Sequence, residues 1–433
     1  MRNPLLNIIE DGRAIPSFCT ANELVIEALL EHYAELNSQI LIEGTANQIN
    51  QFGGYTGMTP EGFKNYVFEI AERVGFDKNK IILGADHFGP LVWANLNEDE
   101  AMKNAVELVK LAVKAGFKKI HLDTSMKLAG DNPNERLSDE KISERGAVLL
   151  AECEKTYQEL LKENPDEIRP VYIIGSEVPI PGGSQEEENS GVQVTKVEDF
   201  ENTLRIYKET FNAHGLGNLW EDVIGVVVQP GVEFGDRDIH FYERAKAREL
   251  CEALKKYPAI VFEGHSTDYQ PKEKLREMAE DGVKILKVGP ALTFALREGL
   301  FALSMIEREL MNDDRQSASD RADFIETLEK VMLENPSDWQ KHYHGSHEEK
   351  RLARKYSYSD RCRYYFSNHE VKNSIRKLFN NINDLILNEK LLPGLLRQFM
   401  PRQYVKILNG EIKFNAASLV KDSVVSAAEN YYF

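Results

Sequence analysis

The four cysteines of this 433-residue chain, Cys19, Cys153, Cys251 and Cys362, lie far apart and form no CxxC pair. That spacing argues against a disulfide scaffold and a cysteine-built zinc site, and it suits a reducing compartment. No apolar run is long enough to span a bilayer. The opening Met1-Arg2-Asn3-Pro4 has no signal-peptide core, so a cytoplasmic protein without a membrane role is expected. Basic charge is also short: 53 Lys and Arg face 70 Asp and Glu, a net charge of -17. Such a surface repels nucleic acid, yet a local pocket of dipoles, Lys and Arg still holds an anionic sugar phosphate. Two nucleotide signatures are missing. Gly57 and Gly62 have the spacing of a GxxxxGK[ST] loop, but Phe63-Lys64 follows, and no GxGxxG follows a first strand. Kinase and dehydrogenase readings lose their support.

What is present is a repeating alternation of element types. Short β-branched runs occur at Ile15–Thr20, Gln39–Thr45, Lys80–His87, Lys119–Ser125, Pro170–Val178, Ile224–Pro230, Ala259–Ser266 and Lys284–Pro290, each followed by an amphipathic stretch. Continuous apolar strands separated by helices predict a parallel sheet covered on both sides, and eight such units predict an α/β fold of the closed (β/α)8 TIM-barrel type. Helix signals agree. Asn97 precedes an acidic turn, Thr59-Pro60 reads as a cap followed by proline, Thr195 with Glu198 reads as a capping box, and Gly75, Gly116 and Gly282 follow helices. After about residue 310 the alternation stops. Residues 1–310 are therefore expected to be the barrel, with 311–433 a helical extension packed on it or on a partner. The HxHxxH run His342, His344, His347 reads as an exposed linker.

Active sites of this fold form at the C-terminal strand ends. Those ends are crowded here with ionisable groups: Glu43, Asp86, His87, His121, Asp123, Glu177, Glu263, His265, Asp268 and Lys287, with Asn47, Gln48, Gln229 and Ser266 among them. Isolated buried charges are costly, so the cluster predicts a metal, an anionic ligand, or both. His87 and His265 suit zinc or a similar divalent ion such as manganese. Asp86 or Glu177 is then placed to move a proton beside a polarised ketose carbonyl. Gly264 and Gly289 occupy the usual phosphate corner, with Thr293 and Arg297 on the next helix. Lys287 raises a Schiff-base alternative, against which the surrounding histidines and acids argue.

Several long strings carry a specific resemblance. They are Asn47-Gln48-Ile49-Asn50-Gln51-Phe52-Gly53-Gly54-Tyr55-Thr56-Gly57-Met58-Thr59-Pro60, Gly84-Ala85-Asp86-His87-Phe88-Gly89-Pro90, Val228-Gln229-Pro230-Gly231-Val232-Glu233-Phe234, His265-Ser266-Thr267-Asp268-Tyr269-Gln270 and Leu286-Lys287-Val288-Gly289-Pro290. Together with Gly175-Ser176-Glu177-Val178-Pro179 they resemble the non-catalytic subunit family of D-tagatose-1,6-bisphosphate aldolase, within the class II ketose-bisphosphate aldolase-like barrels. The resemblance implies a role in galactitol and N-acetylgalactosamine catabolism, a separate catalytic aldolase subunit as partner, and an oligomer. It also implies His87 and His265 as ligands of a divalent metal and Asp86 as proton donor. At strand six the catalytic subunits carry a ligand histidine; Gln229 stands there and would be a weaker, neutral ligand. Glu43, Asn47, Gln48, Asp123, Ser266, Asp268, Lys287 and Gly289 are the expected substrate-binding positions. Relatives described as metal-dependent 4-epimerases of ketohexoses imply an alternative, an enzyme acting alone through an enediolate or retro-aldol step. The residue chemistry by itself favours that alternative; the resemblance favours the accessory subunit.

Overall fold

Eight apolar strands, four to eight residues long and buried on both faces, close into one parallel barrel. The computed structural model describes residues 2–175, 192–311 and 320–433. The barrel strands are β1 (Ile15–Cys19), β2 (Ile40–Thr45), β3 (Ile81–Phe88), β4 (Lys119–Leu122), β5 (Val171–Ile174), β6 (Val223–Val228), β9 (Val261–Gly264) and β10 (Val283–Val288). They follow one another around the ring in sequence order, and β1 closes it by pairing with both β2 and β10. Between β6 and β9 lies a short antiparallel hairpin, β7 (Glu233–Phe234) and β8 (Ile239–His240), which the apolar pattern did not suggest.

The connecting helices are α2 (Glu23–Glu35), α3 (Pro60–Val74), α4 (Glu98–Ala115), α5 (Asp139–Glu163), α6 (Val197–Ala213), α7 (Arg244–Leu254), α8 (Lys272–Glu280) and α9 (Pro290–Leu310). Their ends follow the sequence signals at most positions. Asn97 and Thr59 accept from backbone N–H groups three residues on, and Gly75 and Gly116 adopt left-handed φ of 74° and 88°. Thr195 differs: it does not cap α6, and its hydroxyl accepts the N–H of Gln229 instead.

The amino-terminal end of the barrel is plugged. Helix α1 (Pro4–Glu10) places Leu5 and Ile8 in one apolar cluster with Leu41, Ile82, Ile173 and Ile285 from the barrel interior. Asn3 fixes the plug by donating to the carbonyls of Lys118 and Arg169 at 2.7 and 2.9 Å. Burying each aliphatic side chain is worth about 1.5–3 kcal/mol, so the lower barrel is dry and held shut. Polar groups are thereby confined to its middle and upper layers.

The segment after 320 is helical and shares one hydrophobic cluster with the barrel's helices. Helix Ala416–Ala428 packs on α9 at Gly299, where an added Cβ would sit 3.2 Å from the Val420 Cα. Lys421 on the same helix reaches Glu31 of α2 at 2.6 Å. Two residues of the HxHxxH run, His342 and His344, lie in a short connection as expected, with His344 exposed, and His347 opens the next helix. Ser346 and Glu349 form a capping box that starts the helix His347–Tyr356. A second tie to α9 is electrostatic. Asp360, fully buried, accepts from Arg297 Nε at 2.8 Å and from the Thr293 hydroxyl at 2.7 Å. Thr293 and Arg297 were expected near a ligand; Thr293 lines the cavity described below and Arg297 does not, and both are bonded to the extension.

Asp360→Ala would strand the Arg297 guanidinium in an apolar setting, stacked 4.1 Å from the Phe294 ring centroid. Breaking such a buried pair costs about 3–5 kcal/mol. The expected outcome is a clearly lower urea midpoint by circular dichroism, whereas a midpoint equal to wild type would show that the tie is unimportant.

Candidate metal centre and ligand cavity

The middle layer of the barrel is a charge network. Lys119 on β4 lies 2.8 Å from Glu43 on β2 and 2.6 Å from Glu263 on β9. Lys287 on β10 pairs with Glu43, with Asp86 at 2.9 Å and with Glu263 at 3.9 Å. All of these groups are buried. Burial raises the Glu263 carboxyl, but Lys119 and Lys287 outweigh it and hold the group well below the usual carboxylate range. Burial lowers the Lys287 amine, and Asp86 with Glu43 reverses this, holding it above the ordinary lysine value. A lysine kept protonated between carboxylates is a poor nucleophile, which removes support from the Schiff-base alternative.

Above this layer stand three imidazoles. The ring centroids of His87, His121 and His265 are 4.9–5.2 Å apart. Each is oriented by an acid. His87 Nδ1 meets Asp123 at 2.7 Å, His121 Nδ1 meets Asp86 at 3.1 Å, and His265 Nε2 meets Glu263 at 2.9 Å. This carboxylate–imidazole arrangement presents the other ring nitrogen as a ligand. His121 Nε2 is buried with no hydrogen-bond partner. Ligand atoms of Asp86, His87, His121 and His265 all lie within 4.8 Å of one another, so the cluster is compatible with a metal ion. Charge counting agrees. Among the described residues of this network, Glu43, Glu263, Asp86 and Asp123 against Lys119 and Lys287 leave two negative charges if the imidazoles are neutral, and a divalent cation would balance them.

The titration directions express the same demand for positive charge. Burial lowers the His87 imidazole, but Asp86 and Asp123 raise it above its ordinary value. His265 is pushed down to about 4 by burial, which outweighs the pull of Glu263 and Asp86. Asp86 is raised by burial, but His87 and Lys287 overcome that and keep it ionised, well below the usual range.

The backbone is bent to make this cluster. Between Ala85 and Phe88 the register of β3 against β4 shifts, and His87 takes a left-handed φ of 49°. Ser266 does the same after β9, with φ of 53°. Non-glycine residues in this region cost about 1–3 kcal/mol and cluster at functional sites.

Asp86, His87, His265 and Lys287 floor a cavity of about 710 Å³ at the carboxyl ends of the strands, and His121 lies behind them. Of the positions expected from sequence, Asp86, His87, His265, Asn47, Gln48, Ser266, Asp268, Lys287 and Gly289 line it. Glu43 and Asp123 do not; their carboxylates are bonded to the lysines and to His87 behind the wall. Gln229 does not line it either. Its side-chain oxygen accepts the N–H groups of Gly231 and Val232 at 2.9 and 3.0 Å, which occupies the atom a metal would need. Glu177 lies outside the described residues. Lys119, the network's centre, was missed, and His121, read as one of the polar strand ends, was not singled out as a possible ligand. Their spacing of two on a strand, continued by Asp123, was the available signal.

The phosphate corner also differs from expectation. The N–H groups of Gly289 and Ala291 both donate to Asp268, at 3.0 and 2.8 Å. Burial pushes the Asp268 carboxyl up to about 6 despite these bonds. A raised acid favours folding below its unfolded pKa near 4, and that advantage is lost as pH rises through 6. Asp268→Asn keeps an acceptor and removes the titration. Its stability relative to wild type should therefore rise by roughly 2–3 kcal/mol between pH 4 and 6. Urea melts across that range check this; a constant difference would contradict it.

The comparisons with known proteins agree with one another. The family model described as D-tagatose-1,6-bisphosphate aldolase subunit GatZ/KbaZ-like matches residues 8–433. The D-tagatose-1,6-bisphosphate aldolase subunit GatZ of Escherichia coli (strain UTI89 / UPEC) is 42% identical over 419 residues, covering 97% of this chain and 96% of the relative. A crystal structure described as a probable tagatose 6 phosphate kinase from Sinorhizobium meliloti 1021 is similar at a TM-score of 0.84 and 40% identity, covering 97% of this chain and 99% of that one. Matched over nearly its whole length, the chain belongs to the GatZ/KbaZ-like family of D-tagatose-1,6-bisphosphate aldolase subunits.

Proposed function

We propose that this chain is the accessory subunit of a class II D-tagatose-1,6-bisphosphate aldolase in tagatose catabolism, supporting the activity and stability of a catalytic subunit. The observation that carries the reading is 42% identity over 97% of the chain to relatives named D-tagatose-1,6-bisphosphate aldolase subunit GatZ. Four free thiols support a reducing, cytoplasmic setting. The kinase description of the similar crystal structure finds no counterpart in the residues here, since the phosphate loop is missing from the sequence.

The imidazole cluster adds a second element to this reading, a resident divalent ion, with zinc favoured by the nitrogen-rich donor set and manganese as the alternative. His87, His121 and His265 would hold it, with Asp86 alongside. Bound there, such an ion polarises a ketose carbonyl. The protein's own groups would do the rest. Asp123, Asp86 and Glu263 fix the three rings, and Lys287 keeps Asp86 ionised. Asp86 Oδ2 then accepts a proton from the ligand and returns it in the reverse direction. The same cluster also favours a second reading, an autonomous ketose or ketose-phosphate 4-epimerase or aldolase, because so many buried charges have little use in a purely structural subunit.

Two outcomes are expected. Adding the purified protein to a catalytic D-tagatose-1,6-bisphosphate aldolase subunit should raise its turnover or its half-life at fixed temperature; no change in either would end the accessory reading. Zinc content by plasma mass spectrometry should be lost in His121→Ala. Affinity for zinc should fall about 10–100-fold in Asp123→Asn, which removes only an orienting group. Product analysis of the protein alone with D-tagatose and its 1,6-bisphosphate separates the two readings: turnover favours the autonomous enzyme.

A further inference from the structure

In this fold the amides after the last strands ordinarily receive the ligand's phosphate. Here two of those amides are bonded to Asp268. An anion brought to that corner would meet a buried carboxylate whose donors are already engaged, and like charges repel.

The opposite sign stands on the wall added by the C-terminal helices. Arg363, Lys372 and Arg376 line the same cavity as His87 and His265. Lys372 and Arg376 are four residues apart on the helix His369–Leu387, and so share one face. Neither side chain makes a hydrogen bond or ion pair with a described residue, although the chain carries an excess of acids. The contrast with Arg73 is informative. It lines the cavity too, but Glu23 holds it at 2.9 Å. Arg363 is fixed in place. It donates to the Asp360 carbonyl at 3.2 Å and to the Tyr364 hydroxyl at 2.9 Å, and its guanidinium lies 4.5 Å from the Tyr364 ring centroid. Tyr364 in turn meets Tyr55, from the loop after β2, edge-on at 4.9 Å. One cation is thus pre-organised and two have no partner among the described residues, at the wall of a cavity whose floor includes His87 and His265.

We infer that the C-terminal helical segment, and not the barrel's final turn, carries a phosphate-monoester subsite. Arg363, Lys372 and Arg376 receive the phosphate of a ligand whose carbonyl end faces His87 and His265. The inference rests on the ketose-phosphate reading above for its ligand class. It gives the extension a direct part in recognition. A guanidinium and an ammonium on one helix face match a dianion's several oxygens, and charge-assisted bonds of this kind are the strong ones.

The test uses the full-length, zinc-loaded protein and three probes: inorganic phosphate, D-tagatose 1,6-bisphosphate and free D-tagatose. Binding is read by calorimetry and by phosphorus NMR. The double variant Lys372→Gln/Arg376→Gln changes two exposed side chains, and its fold is checked by circular dichroism. Affinity for both phosphate probes should fall about tenfold or more, while affinity for free D-tagatose stays level. The charge-preserving pair Lys372→Arg/Arg376→Lys should retain most of the phosphate affinity. Lys377→Gln, on the same helix but away from the cavity lining, should change nothing. Phosphate affinity equal to wild type in the double variant overturns the inference, as does a wild-type protein that binds neither phosphate probe. The two readings fail separately. Phosphate binding lost in the double variant of a protein that activates no aldolase removes the aldolase reading and leaves the subsite. Unchanged phosphate binding removes the subsite whether or not an aldolase is activated.

Discussion

Two ammonium groups held among buried carboxylates set the terms for the rest of this barrel. Lys119 and Lys287 bridge Glu43 and Glu263 in a layer that barrels of this fold usually fill with branched aliphatics. Desolvating such ions costs several kcal/mol each, so none of them tolerates the loss of its partner. The network dictates its neighbours. Gly84 must lack a side chain, because a Cβ there would lie 2.5 Å from the Glu43 carboxylate. Helix α1 must seal the end below, because water rising through the barrel would screen the pairs. Negative charge remains in excess above the lysines, and the imidazoles stand where that excess is felt.

The imidazoles are held by strain as well as by charge. Left-handed backbone at His87 and Ser266 brings residues of β3 and of the turn after β9 over the barrel axis. Gly89 permits it: a Cβ there would fall 1.6 Å from the Asp123 carbonyl oxygen, so the chain after His87 can run against β4 only as glycine. Asp123 then reaches His87 at 2.7 Å. Sequence neighbours that look redundant, Asp86-His87 and Gly89, are separate parts of one construction: a buried carboxylate, a buried imidazole and the clearance that lets the chain turn between them.

The fold was legible because its signals are local. Runs such as Ile224–Val228 are uniformly apolar, and Asn97, Thr59 and Gly116 sit next to the helix ends they cap. Residue types at the strand ends were legible for the same reason. Roles were less so, because a role depends on a partner far away in the chain. His121 is one of many polar residues until Asp86 and His265 are seen beside it. Gln229 looks like a ligand by position, yet its oxygen is taken by a turn two and three residues on. Thr195 looks like a cap and is instead the acceptor for Gln229. The family pattern placed residues at the right strands without saying which of them point their free atoms at the cavity.

The extension shows the same dependence on distance. Nothing in residues 311–433 announces contact with the barrel mouth, yet Tyr431 donates to the Thr267 carbonyl at 2.8 Å. The Thr267 hydroxyl in turn donates to the Lys287 carbonyl at 2.6 Å. The end of the chain therefore bears on the strand that carries a central lysine. Asp360 does the same for α9 through Arg297 and Thr293. A barrel whose interior is charged has less apolar area to close on than an aliphatic one, and its upper rim must be stiffened from outside. The helices after residue 320 supply that stiffening at the mouth, where the left-handed turns and the buried acids would otherwise be free to relax. Support of the rim and the wall of the cavity are then one structural task, in which Arg363, Tyr364, Phe366, Arg376 and Phe379 of the extension line the cavity.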